Sequence, residues 1–483
     1  MSIWSVDIWH WLALCQHEFL LFAGVFFLVG ALDDIVVDLI FLALKANGRA
    51  ATVWHDRAAL SARPLPGPAA VFLPAWSEAE VIGDTIARLL GEWRQADLRL
   101  YVGCYRNDPA TIAAALAAAG QHGDPRLRLV VNPCDGPTTK ADCLNRLYRA
   151  MCEDEARSGR TFAFVVFHDA EDVVDGAALG LLGQTVAAGA DFVQLPVEPL
   201  VQRDRSWFGN QLGSHYCEEF AEAHGKTMVV RDALGAAIPG AGVGSAVARP
   251  MLARLAAGHR DGLPFCTDSL TEDYELGLAV HELGGTCRFV RARGTDGRLI
   301  ATRAYFPARL DHVVTQKTRW VHGIALQGWD RIGWGGTWAE RWMRARDRRG
   351  PFAGLVLAVG YVLIVLTALG GVAVIAGLIA PYPVTPMLRV LLLLNLAAFS
   401  WRVGWRLLFT VRVYGWAEGL RAVLRIPVAN LVAIMAGRRA VLAYVASLRG
   451  VALTWDKTPH VRQSSPAARV AVDEPTLLVP ALR

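Results

Sequence analysis

Asp169 and Glu171 stand two positions apart in Phe167-His-Asp-Ala-Glu-Asp172, directly after a run of aromatic and β-branched residues. Paired carboxylates at the end of a buried strand are hard oxygen ligands, suited to Mg²⁺ or Mn²⁺ that already carries a substrate diphosphate. The ion would neutralise charge on a departing nucleotide diphosphate. As a bare pattern this pair usually marks a solvated turn, and its position after a strand is what raises it. Three more motifs accompany it: Val71-Phe-Leu-Pro-Ala-Trp-Ser-Glu78, Thr271-Glu-Asp-Tyr-Glu275 and Gln316-Lys-Thr-Arg-Trp320. Asp273, with Glu272 beside it, can serve as the general base that takes a proton from an attacking hydroxyl. The plainer role is a cap at a helix start. One base with direct displacement gives inversion at an anomeric carbon.

Gln316, Arg319 and Trp320 are spaced i, i+3, i+4 and so share a helix face. Trp320 can stack under an acceptor sugar while Arg319 reaches a diphosphate oxygen; alternatively the set packs an interfacial helix onto a membrane. Pro137-Thr-Thr-Lys140, with Asp142 and Asn145, puts a cation and hydroxyls at another helix start, where a diphosphate can be met. Pro239-Gly-Ala-Gly-Val-Gly244 fails as a dinucleotide fingerprint because no strand precedes it. Its small residues permit close approach of an acceptor, or merely a tight loop.

These residues need a scaffold, and the alternation of short apolar runs with helical stretches from about 68 to 315 has the βαβ rhythm of an α/β, mostly parallel sheet. Strands are expected at 71–73, 98–104, 127–132 and 162–167. Helices follow them: one opened by a Ser77/Glu80 capping box and running to about Leu90, then 111–119 and 140–153. In open α/β sheets ligands bind beyond the carboxyl ends of the strands. Trp76-Ser-Glu78, Asn107-Asp108 and Asp169 all fall there.

Of the 483 residues, 53% are hydrophobic, and the net charge is only +5. The apolar excess is local, at 19–44, 352–380 and 387–411. Roughly 20 apolar residues cross the hydrocarbon core of a bilayer, so three spans are expected there. Trp4, Trp9 and Trp11 form an aromatic belt, and Lys45, Arg49, Arg57 and Arg63 put the following segment in the cytoplasm by the positive-inside rule. The arginines from Arg341 to Arg349 precede the second span, and Pro381-Tyr-Pro-Val-Thr-Pro386 is an uncharged outer turn. The topology is thus N-terminus periplasmic, C-terminus cytoplasmic. Asp33, Asp34 and Asp38 are assigned to the inner interface, with pairing to Arg402 or Arg406 as the alternative. The 420–448 stretch is interrupted by arginines and Pro427, and reads as an interfacial or re-entrant pair. No basic run interleaves with aromatics, which excludes nucleic acid as a partner. The eight cysteines include no CxxC pair and read as free thiols.

Together the motifs resemble the membrane glycosyltransferases of family 2. The longer ones look like the bacteriophage adsorption protein B group: Gly30-Ala-Leu-Asp-Asp34, Pro74-Ala-Trp-Ser-Glu78, Gly136-Pro-Thr-Thr-Lys-Ala-Asp-Cys-Leu-Asn145, His168-Asp-Ala-Glu-Asp172, Ser269-Leu-Thr-Glu-Asp-Tyr274 and Trp455-Asp-Lys-Thr458. The resemblance implies a GT-A fold. It implies donor contacts from Pro74, Ala75, Glu78, Asp108, Lys140, Asp142 and Asp169, with Glu78 and Asp108 on the uridine. It further implies metal-diphosphate binding by Asp169 and Glu171, Asp273 as base, and Gln316, Arg319 and Trp320 on the acceptor and diphosphate side. Glu171 stands where the wider family usually has Asp.

The implied organisation is a membrane helix (1–48), a cytoplasmic GT-A domain (49–315), an interfacial region (316–350), two membrane helices (351–411), interfacial helices with the Trp455 motif (412–461) and a disordered tail (462–483). Members of the group can carry a C-terminal cyclic-di-GMP-binding domain; the short tail here is not expected to supply that control in cis. The expected function is inverting transfer, in the bacterial inner membrane, from a UDP-sugar to a growing exported polysaccharide, with an outer-membrane or periplasmic export partner by analogy. The alternatives are single-sugar transfer to a polyprenyl-phosphate or other lipid, and a non-catalytic envelope scaffold that phage exploit.

Overall fold

The computed structural model describes residues 8–50, 52–120, 123–203, 205–378 and 384–451. Trp4, the side chain of Trp9, the first half of the 381–386 turn, the Trp455-Asp-Lys-Thr458 motif and the 462–483 tail lie outside the described residues.

The strands are β1 (Val53–His55), β2 (Ala69–Pro74), β3 (Leu98–Tyr105), β4 (Leu127–Asn132), β5 (Phe164–Phe167), β6 (Phe192–Gln194), β7 (Val197–Pro199), β8 (Ser245–Ala248), β9 (Cys287–Phe289), β10 (Ala292–Gly294) and β11 (Thr302–Ala304). Seven form one sheet in the order β4-β3-β2-β5-β8-β6-β9. All its pairings are parallel except those of β8, which runs antiparallel to both β5 and β6. The mostly parallel sheet was legible in the alternating pattern; the reversed strand was not. Successive side chains of β2 serve opposite faces. Val71 and Leu73 join the core with Ile86, Trp93 and Val166, while Ala70 and Phe72 join Leu147, Met151 and Val247 on the other side. Residues 69–73 are therefore wholly buried, as a parallel sheet covered on both faces requires.

The capping box is not formed. The first long helix of the domain starts at Ile82, and its N-cap Val81 makes no side-chain cap. Ser77 instead takes a left-handed backbone (φ 53°). The amides of Ser77 and Glu78 donate to Asp108 Oδ2 (2.6 Å) and Thr111 Oγ1 (2.9 Å). Those long-range acceptors outbid a local cap.

Among the described residues four helices are long and apolar enough to cross a membrane: Ala13–Ala46 within the longer Ile8–Ala46, Gly350–Ile375, Pro386–Tyr414 and Ile426–Leu448. The last corrects the re-entrant reading of 420–448. Pro427 sits in its first turn, where a missing N–H costs no helix bond, and Arg438 and Arg439 face outward. A separate short helix, Trp416–Leu424, buries Glu418, Gly419 and Ala422 and exposes Trp416, Leu420 and Leu424. Only that segment keeps the amphipathic character expected of an interfacial helix.

The three acids Asp33, Asp34 and Asp38 are all paired, Asp34 with Arg402 as the alternative reading had it. Asp33 and Asp34 each bind both Arg346 and Arg349, Asp34 lies 3.5 Å from Arg402, and Asp38 is fully buried against Lys226 and Trp401. Arg406 turns to Glu218 instead (2.9 Å). Desolvated charges must be paired, so this network ties the first apolar helix to the α/β domain.

Candidate active site

The loops after β2, β3 and β4 are sewn together at the carboxyl edge of the sheet. Asp108 caps the helix Pro109–Ala118 by accepting from the Thr111 amide (3.3 Å), while its other oxygen holds Ser77. Asn107 exchanges two hydrogen bonds with Gly136 (2.9 and 2.8 Å). The Tyr105 hydroxyl meets Thr138 Oγ1 at 2.6 Å, and the Trp76 ring stands edge-on to Tyr105 at 5.2 Å. Glu78 is buried within this knot, and Ala75 continues the β2–β3 ladder through Gly103 O (2.8 Å). Pro74 closes β2 itself. Of the expected donor residues here, Asp108 has both oxygens on backbone amides. It acts as the clamp that shapes the loop.

Lys140 opens the helix Lys140–Ser158, capped by Thr139. Its ammonium lies 2.5 Å from Asp169 Oδ1 and 3.9 Å from Glu272 Oε1. Asp142 points elsewhere, accepting from Asn132 (3.2 Å) with Arg146 at 3.7 Å. Asn145 pins the Phe265 backbone through both its N–H and C=O (2.8 and 3.1 Å). From this motif only Lys140 reaches the charged centre.

The Asp169 loop is fixed from beneath. Asp172 accepts from the Asp169 amide (3.0 Å) and meets His168 Nδ1 at 2.7 Å, both side chains being buried. Thr85 donates to Ala170 O (2.6 Å). Burial pushes the Asp172 carboxyl up, against the pull of His168. Asp169, by contrast, keeps 31% of its side chain exposed. His168 and Asp172 were part of the motif with no role assigned; a His and an Asp four residues apart at a strand end is the signal that could have singled them out.

Glu272 and Asp273 begin the helix Glu272–Glu282 without a side-chain cap from Thr271. Asp273 Oδ1 accepts from the Tyr274 amide (2.8 Å). Gly242, at φ +79°, passes so close that an added Cβ would stand 2.6 Å from Asp273 Oδ2 and 3.3 Å from Lys140 Nζ. The Gly-rich loop is therefore the cover of the carboxylate, and its small residues are needed for that approach. Burial would lower the Lys140 pKa, but Asp169, Glu272 and Asp273 together raise it. Burial raises the Asp273 carboxyl, opposed by Lys140 and Arg319. The Glu272 carboxyl is pushed up to about 7 by burial and by Asp273, against Lys140.

That shift has a sign. A carboxyl raised above its unfolded value of about 4.3 contributes stability below that pH, and loses it as pH rises through the folded value. Without ligand, Glu272→Gln is expected to narrow the loss of thermal stability between about pH 5 and pH 8. Parallel slopes of melting temperature against pH for the two proteins would contradict the shift.

Arg319 lies on Leu310–Val321, and its positive charge pulls the Glu272 and Asp273 carboxyls down against burial. Gln316 and Trp320 turn to Tyr216: Gln316 Oε1 accepts from its hydroxyl (2.7 Å), and the Trp320 ring meets it edge-on at 6.0 Å. Phe306 stacks on Tyr216 at 4.4 Å, and Lys317 Nζ lies 4.7 Å over the same ring. Tyr216 and Phe306 carried no motif, so sequence reasoning missed them. A π-helical turn, His322–Gln327, follows at once; such bulges recur at functional sites.

Residues 66–323 match the family described as glycosyltransferase like family 2. The chain belongs to that family. The matched span contains the seven-stranded sheet, all four motifs and the Gly-rich loop, and the fold is the GT-A type expected of it. Bacteriophage adsorption protein B of Escherichia coli K12 is 31% identical over 95% of this chain and 64% of its own length. Bacteriophage N4 adsorption protein B of Escherichia coli O157:H7 gives the same figures. The chain thus spans just under two thirds of these relatives. Among solved structures, a mannosyltransferase from Pyrobaculum calidifontis in complex with GDP-Man and Mn²⁺ aligns with TM-score 0.41 and 18% identity over 82% of this chain and 99% of its own. Glucosyl-3-phosphoglycerate synthase from Mycobacterium tuberculosis, with Mn²⁺, UDP and phosphoglyceric acid, gives 0.33 and 19% over 56% and 85%.

Proposed function

We propose that this protein is an inverting glycosyltransferase that moves a sugar from a UDP-sugar to an acceptor hydroxyl at the cytoplasmic face of the bacterial inner membrane. One observation carries the reading: Asp169, Lys140, Glu272, Asp273 and Arg319, spread over four motifs, share one charged centre beneath the Gly242 loop. The donor diphosphate meets Lys140 and Arg319, with the uridine toward Glu78 and the Trp76 loop. Asp273 takes the acceptor proton as the acceptor oxygen bonds the anomeric carbon and the bond to the diphosphate oxygen breaks. Its raised pKa suits that work near neutrality.

Among the described residues no three His, Cys, Asp or Glu side chains converge as a closed metal cage. The hard oxygens of Asp169 and Glu171 fit Mg²⁺ or Mn²⁺ bound jointly with substrate phosphate and water, and the Lys140 ammonium on Asp169 marks where a cation is wanted. When bound, that ion would neutralise the leaving diphosphate.

The acceptor side is formed by Trp320, Tyr216 and Phe306, which pack in one apolar cluster with Val432 of the helix Ile426–Leu448. That packing supports a growing exported polysaccharide as acceptor, with an envelope partner for export. Product mass from washed membranes separates this from a single lipid-linked sugar. The direct test is UDP release by purified protein across a panel of UDP-sugars with Mg²⁺ or Mn²⁺. Metal-dependent turnover with one sugar is the expected result. Failure to bind UDP or turn over any donor would return the protein to the scaffold reading.

A further inference from the structure

Tyr274 directly follows the proposed base and is almost wholly buried. Its hydroxyl donates to Asp347 Oδ2 at 2.9 Å. Asp347 belongs to the helix Trp338–Arg348, which precedes the second apolar helix in the chain. The same carboxylate takes two bonds from Arg231 Nη1 (2.9 and 2.8 Å), and the buried Arg231 uses its Nε on Ala237 O. About two turns back on that helix, fully buried Glu340 accepts from the Ala237 amide (2.7 Å) and from Arg344 (2.6 Å). Ala237 leads into the Gly-rich loop that covers Asp273. One helix therefore grips the Asp273 helix and the start of the loop over it.

Its other side is held by the membrane helix. Trp342 Nε1 donates to Asp33 (2.6 Å), and Arg346 pairs with Asp33 and Asp34. Burial and the neighbouring Asp347 charge keep the Tyr274 hydroxyl protonated, so it stays a donor.

We propose that Asp347 is a positioning residue for the transfer reaction. By holding Tyr274 and, through Arg231, Ala237, it sets the Asp273 carboxylate against its glycine cover, from a helix anchored to the first membrane span. The inference rests on the proposed glycosyltransfer for its kinetic arm only. Side chains acting through one hydrogen bond are non-additive, and loss of orientation lowers kcat more than it weakens binding.

The experiment compares Asp347→Asn, Tyr274→Phe and the double variant, full length in detergent. Turnover is counted per UDP-binding site, so misfolded protein does not register. Hydrogen exchange is followed at 237–244 and 272–282. Asp347→Asn is expected to lower kcat about 10-fold or more with donor KM and UDP affinity unchanged, the double variant being no worse than the poorer single one. Exchange in both segments should rise. Unchanged kcat per site, or losses that multiply in the double variant, would overturn the proposal. If the wild type binds UDP without turnover, the glycosyltransfer reading fails by itself; exchange then decides the bracing, and unaltered protection in Asp347→Asn overturns it.

Discussion

Asp273→Asn is expected to lower sugar transfer by about 10²–10⁴-fold, the usual contribution of a positioned general base, while UDP binding persists. The substitution keeps the shape of the side chain and the acceptor for the Tyr274 amide, and removes only the basic oxygen. It also relieves a buried negative charge that Lys140 and Arg319 now offset. The variant should therefore fold as well as the wild type. The measurement is single-turnover UDP release beside equilibrium UDP binding on the same preparation. Retained turnover would show that another group takes the proton, and Glu272, next in the chain and with its carboxyl near 7, would be the first to examine.

Asp169→Asn is expected to act on a different quantity. Two carboxylate oxygens are a sparse protein contribution to a hard cation, so removing one charge should raise the Mg²⁺ or Mn²⁺ concentration for half-maximal activity by at least about 10–100-fold. Calorimetry should find that Mn²⁺ tightens UDP binding to the wild type and no longer does so in the variant. The lysine makes the prediction sharper. Lys140 sits against Asp169 at 2.5 Å and lies 3.9 Å from Glu272, so a divalent ion held by Asp169 would compete with the lysine for that oxygen. If Asp169→Asn kept full metal linkage, the ion would have to be held elsewhere, and the Asp169–Glu171 assignment would fall.

Much of the domain was legible because its determinants are local. Strand β4 occupies 127–132 as read, since a short apolar, β-branched run bounded by turn residues favours a strand. Asp169 and Lys140 lie at a strand end and a helix start, and the sheet carries both to one edge whatever the loops do. The misplaced helix start at Ser77 shows the limit. Its sequence has a capping box, but the Ser77 amide that the box would use is taken by Asp108, and its neighbour Glu78 by Thr111, from more than thirty positions away. Glu78 and Asp108 were both assigned to the donor, and Asp108 already accepts from two backbone amides. A sequence marks a carboxylate without saying what already occupies it.

The amino-acid sequence by itself determined the α/β character, the apolar segments, the order of the four motifs and their delivery to the carboxyl ends of the strands. These follow from periodicity and local hydrogen-bonding demand, which neighbouring residues settle among themselves. Only the tertiary structure decided how the charges are shared. Asp33 binds Arg346 across 313 positions, and Tyr274 binds Asp347 across 73. Such pairs form because ionic and hydroxyl groups driven into the same buried seam must satisfy one another. Which groups meet there depends on how the sheet and membrane helices pack, and no spacing along the chain records it.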